Sequence, residues 1–157
     1  MALNMQVGNS DYKSELEKHG VIGFVPGGNS MWPTLKNRGQ SVVVRKKEGR
    51  LKKFDVALYS RENGAFVLHR VMKVTDNGYI ICGDSQFTLE TVKEEQVFGV
   101  MEGFYRGKKY VECTDPKYCK QIEKWFRRKK IRKARLKVFF FFQRVKNKLK
   151  RIFGKGI

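Results

Sequence analysis

A serine that attacks a carbonyl needs an open, stiff loop to display it, a base to take its proton, and a group to orient that base. Ser30 sits in the run Pro26-Gly27-Gly28-Asn29-Ser30-Met31-Trp32-Pro33. The glycines before it permit unusual backbone angles and close approach of another chain. Pro33 stiffens the loop on its other side and biases Trp32 towards an extended conformation. The chain has two histidines. His19 lies near the end of a short helical pattern, where a capping role suits it. His69 lies inside the apolar run Phe66-Val67-Leu68-His69-Arg70-Val71, 39 residues after Ser30. A neutral imidazole is a competent base near neutral pH. Two carboxylates further along could orient it, Asp84 in Cys82-Gly83-Asp84-Ser85 and Glu90 in Leu89-Glu90-Thr91-Val92. Residue types alone also fit a plainer picture, in which Gly-Asn-Ser is a turn, His69 a structural strand histidine and Gly-Asp another turn.

The elements that must position these side chains read as a mostly-β fold. A short helix is expected after a cap at Asn9, Ser10 or Asp11, with Leu16 facing inward and His19-Gly20 ending it. Strands are expected over 21–26, 41–46, 55–61, 65–75, 79–83, 96–106 and 108–114, with turns at Asn63-Gly64, Asp76-Asn77-Gly78 and Gly107. In the 65–75 segment Phe66, Leu68, Arg70 and Met72 alternate with Val67, His69, Val71 and Lys73. From Pro116 onward the pattern becomes helical. This gives two regions, a domain over 1–115 and a basic helical arm over 116–157.

Charge divides the chain in the same place. The formal net charge is +19 over 157 residues. Residues 117–157 hold 17 Lys and Arg against one acid, Glu123, whereas 1–116 holds 17 bases against 14 acids. A hydrophobic share of 41% is enough for a real core and argues against general disorder. Cys82, Cys113 and Cys119 are odd in number and match no zinc or redox spacing, so reduced thiols in a cytosolic setting are expected, with no cofactor or metal. No apolar run resembles a signal peptide or approaches the roughly 20 residues of a membrane span.

With these residues in order, the chain resembles the type I signal peptidases and the related self-cleaving repressor peptidases. Gly28-Asn29-Ser30-Met31-Trp32-Pro33-Thr34-Leu35 is similar to their G-x-S-M-x-P-T-L nucleophile box. Gly39-Gln40-Ser41-Val42-Val43-Val44 and Phe54-Asp55-Val56-Ala57 resemble the family's next two boxes, both of G-D type, with Gln40 in place of the usual aspartate. His69-Arg70-Val71 looks like the base motif of the endoplasmic-reticulum-type branch, where most bacterial members have lysine. Gly83-Asp84-Ser85 and Val97-Phe98-Gly99-Val100 resemble the closing boxes. The agreement runs from about residue 21 to 105 and is similar to that of small soluble Firmicutes-type members with a basic C-terminal extension. It implies a signal-peptidase-like β-barrel or sheet domain and a serine endopeptidase acting on a peptide or leader precursor. Ser30 would be the nucleophile, His69 the general base, and Asp84 the group that orients or charge-balances His69. Glu90 stands where the reticulum-type branch has a further aspartate. Gly28 stands where some members carry a serine that donates to the oxyanion, which leaves the Ser30 N–H or Asn29 for that task.

The arm has its own pattern. Val138, Phe142, Val145, Leu149 and Ile152 recur at helical spacing, with Phe139, Phe140, Phe141 and Phe153 widening the stripe. Such a helix suits the plane of an anionic bilayer, which would put the protein in the cytoplasm at the inner face of the cell membrane. The other readings are a helix packed on its own domain and a nucleic-acid contact. Two rival functions keep the same fold. One is a non-catalytic adaptor working through the arm. The other is a self-cleaving regulator, for which the 29 residues before Ser30 are too few to hold a helix-turn-helix domain.

Overall fold

The computed structural model describes residues 12–36 and 39–153, so the caps expected at Asn9, Ser10 and Asp11 lie outside the described residues. It divides into two compact units, 1–118 and 119–157. The first opens with α1 (Tyr12–His19), closed by Gly20 at φ 73°. Eight strands then form one antiparallel sheet: β1 (Val21–Phe24), β2 (Val42–Lys46), β3 (Val56–Ser60), β4 (Phe66–Thr75), β5 (Gly78–Cys82), β6 (Glu90–Lys93), β7 (Val97–Arg106) and β8 (Lys109–Glu112). The order across the sheet is β1-β2-β7-β3-β4-β5-β6, and β8 pairs with β7. The fold is therefore mostly antiparallel β, with a short N-terminal helix and C-terminal helices. Seven of the strands fall on expected segments. The expected tight turns are present, with Gly64 at φ 78° and Gly107 at φ 64°. β6 is the added one.

Register assigns the faces. Tyr59 stands opposite Val67, Ala57 opposite His69, Val71 opposite Ile81, and Ile81 opposite Glu90. Directly opposed residues share a face, and so do residues two apart on one strand. Tyr59, His69, Val71, Ile81 and Glu90 therefore lie on one face. That face buries a core of Ala57, Tyr59, Val71, Tyr79, Ile81, Val92, Val97 and Val100. Arg70, paired with Cys82, belongs to the other face. At Gly99 a Cβ would stand 2.8 Å from Val44 Cγ1 and 2.9 Å from Leu16 Cδ1, so glycine there lets α1 close on the sheet.

Helix α2 (Pro116–Arg127) is capped by Asp115, whose Oδ1 accepts from the N–H groups of Lys117 at 2.7 Å and Tyr118 at 3.0 Å. Its first turn belongs to the β unit. Tyr118 is buried, with its ring 5.6 Å from that of Phe104 and its hydroxyl 3.0 Å from Arg70 Nη2. The first compact unit thus ends inside α2, after Tyr118. The second unit continues α2 and contains α3 (Lys129–Phe153). Among the described residues no helix is long and apolar enough to cross a membrane.

Candidate functional site

Ser30 stands on the loop between β1 and β2, half-buried and fixed from several directions. Gly28 has φ 78°, and the N–H of Trp32 donates to the carbonyl of Asn29 at 3.1 Å. Met31, Thr34 and Leu35 are buried beneath the loop. Its outer strap is the turn after β5. The Ser85 N–H donates to the Ser30 carbonyl at 2.8 Å, and Ser85 Oγ donates to the carbonyls of Asn29 at 2.9 Å and Ser30 at 3.1 Å. Gly83 makes room for this strap, since a Cβ there would come within 2.8 Å of the Ser30 carbonyl oxygen.

His69 shares a cleft with Ser30. The cleft has a volume of about 550 Å³, and Tyr12, Phe24, Met31, Leu58 and Phe66 give it apolar walls. The histidine is 3% exposed. Its Nδ1 lies 3.4 Å from the Tyr59 hydroxyl and 3.4 Å from Glu90 Oε1. Burial lowers the imidazole pKa below the usual 6.5, against the opposing pull of Glu90, so the ring is neutral at pH 7. With Nδ1 facing Tyr59 and Glu90, Nε2 is the nitrogen left for proton transfer. Among the described residues no hydrogen bond joins Ser30 Oγ to the ring, whose hydrogen-bond contact is with the Tyr59 hydroxyl.

Glu90 is itself held. Arg61 grips it in bidentate fashion, Nε to Oε2 at 2.8 Å and Nη2 to Oε1 at 2.5 Å. Burial alone would raise the Glu90 pKa, but the hydrogen bonds and charge of Arg61, helped by His69, hold it below the usual 4.5. The carboxylate is ionised throughout the neutral range. Burial and the neighbouring Glu90 push the Tyr59 phenol well above its ordinary value, so it stays a neutral hydroxyl.

Asp84, the first candidate for orienting His69, has its bonds elsewhere. It is fully buried on the Arg70 side of β4. Arg70 donates to it twice, Nε to Oδ1 at 2.7 Å and Nη2 to Oδ2 at 2.8 Å, and Thr34 Oγ1 also donates to Oδ2. Arg70 further donates to the Phe54 carbonyl at 2.7 Å. Burial works against the Arg70 charge, but Asp84 outweighs it and raises the guanidinium pKa. The reason lies in strand parity. Adjacent residues His69 and Arg70 point to opposite faces, and Asp84 comes two positions after Cys82, the partner of Arg70. The hydrogen bonds of Asp84 thus tie the Ser30 loop, through Thr34, to β4, and Glu90 is the carboxylate beside His69.

Tyr59 and Arg61 were not singled out from the sequence. Strand parity is the signal that could have marked them, because Tyr59 on β3 and His69 fall on one face and Arg61, one residue past the end of β3, continues that row. Gln40 also acquires a reason. Its Oε1 accepts from the Lys36 N–H at 2.5 Å, and its Nε2 donates to the Tyr105 carbonyl at 3.0 Å. An aspartate could accept there but could not donate. The chain matches no protein-family model, no curated protein and no solved structure.

Proposed function

We propose that this protein is a serine endopeptidase with a signal-peptidase-like fold, cutting a peptide or leader precursor. The observation that carries the reading is the shared cleft. Ser30 sits on a strapped loop in its wall, and His69 lines the same space with a neutral ring backed by Tyr59 and Glu90. Ser30 Oγ attacks the scissile carbonyl while His69 Nε2 takes its proton. The tetrahedral oxyanion draws on main-chain N–H groups of the Gly28–Ser30 turn and on the Asn29 side chain. Collapse breaks the C–N bond, and His69 returns the proton to the leaving amine. Water then attacks the acyl-enzyme with His69 as base, and Ser30 is released. Glu90 stabilises the imidazolium formed in each half-reaction, held in place by Arg61. Asp84 and Arg70 position the nucleophile loop. A cytoplasmic location at the inner face of the cell membrane belongs to the same proposal.

The test needs no known substrate. A fluorophosphonate probe should label Ser30, and labelling should vanish in Ser30→Ala and fall at least about a hundredfold in His69→Ala, with thermal unfolding unchanged in Ser30→Ala. Labelling that is equally fast without His69 would overturn the assignment.

A further inference from the structure

The long helix of the second unit presents an apolar face to solvent. At about 100° per residue, Ile131, Val138, Phe142, Val145 and Leu149 fall within about 60° of arc on α3. They are 51%, 56%, 64%, 39% and 48% exposed. Phe141, at 60%, borders the stripe. The buried positions of the helix are different ones. Arg132 and Leu136, 6% and 2% exposed, lie well round the circumference from the stripe. Arg132 stacks over Phe126, 4.6 Å from the ring centroid. The side that is buried is therefore not the apolar stripe.

Charge identifies what the stripe meets. Residues 129–153 contain eleven Lys and Arg and no acid. Arg135 and Lys146 flank the stripe on one side, and Lys130 and Lys148 on the other, all exposed. A second copy of this helix would be repelled by the same charges. Nucleic acid would neutralise the cations but leave the five apolar side chains in water. An anionic bilayer satisfies both sets. Apolar side chains enter the acyl boundary, while long basic side chains extend sideways to the headgroup phosphates. A helix of 25 residues lies about 38 Å along the surface.

We infer that α3 is an in-plane anchor for anionic phospholipid membranes, seated on the Ile131–Leu149 stripe. The inference is independent of the serine chemistry, so Ser30→Ala should bind membranes like the unaltered chain. The full chain is floated with vesicles of phosphatidylcholine alone, and of phosphatidylcholine with roughly one-third phosphatidylglycerol. Binding to the anionic vesicles should be at least about tenfold tighter. The double variant Phe142→Ser/Val145→Ser changes only exposed positions and keeps every cation. It should keep its helical circular dichroism and lose about tenfold or more in vesicle binding. The emission of Phe142→Trp should shift to the blue when anionic vesicles are added. Equal binding to both vesicle types overturns the inference, as does full binding by the double variant. A DNA or RNA oligonucleotide held more tightly than the anionic vesicles, with the double variant unimpaired, assigns the arm to nucleic acid instead.

Discussion

The Ser85 N–H donates to the carbonyl oxygen of Ser30 at 2.8 Å, which ties the turn after β5 to the loop that displays the candidate nucleophile. Asp84, one residue earlier, reaches the same loop through Thr34. Gly83, one residue earlier still, leaves the space in which the two segments meet. Three consecutive residues thus fix where Ser30 stands.

Gly83→Ala tests this strap. Its Cβ would press on main chain, so the Ser30 loop must shift to admit it. A displacement of about 1 Å can cost on the order of a hundredfold in reaction rate. Fluorophosphonate labelling should slow by about ten- to a hundredfold while the variant remains folded. Labelling at the original rate would mean that the strap does not position Ser30.

The pH profile tests His69 and Glu90 together. Burial lowers the His69 pKa, so the acid limb of the labelling rate should have its midpoint below 6.5. Glu90 opposes that lowering. Glu90→Gln should therefore move the limb to still lower pH and slow the reaction, because the imidazolium loses its counter-charge. The same shift sets a stability trend. The unfolded chain binds the proton more readily than the folded one, so unfolding free energy should fall as pH drops from 6.5 towards the folded pKa. A limb above 6.5, or one unmoved by Glu90→Gln, contradicts the assignment.

Arg70 and Asp84 are predicted to act on stability and loop position. Both are buried, and removing one partner strands the other charge. Arg70→Ala or Asp84→Ala should cost about 3–5 kcal/mol in urea unfolding. Arg70→Lys should also be costly, since a single ammonium cannot reproduce the fork that joins Asp84 to the Phe54 carbonyl. Asp84 contributes less than Glu90 to the His69 charge balance. If Asp84→Ala stays folded, its acid limb should accordingly move less than that of Glu90→Gln. A larger movement would return Asp84 to the role of orienting acid.

The strand plan was readable because most strands carry β-branched alternation and end at turn residues that force the chain back, as at Asn63-Gly64 and Gly107. β6 was not, because Glu90-Thr91-Val92-Lys93 has one apolar residue that is buried, Val92, and becomes a strand only by pairing with β5. The helical arm was legible from its spacing. That its apolar stripe is exposed while Arg132 is buried was not, because amphipathic spacing marks an apolar face without saying what covers it.

The sequence by itself determined the chemical inventory: one serine on a constrained loop, one strand histidine, two carboxylates downstream, and a cationic arm. It also determined, through the two-residue period of a strand, that His69 and Arg70 face opposite ways. Tertiary structure decided which carboxylate went to which residue. The register of β4, β5 and β6 sets Glu90 on the row of His69 and Asp84 on the side of Arg70. Registers are chosen by burial of whole faces, a property of the assembled sheet that no single segment contains.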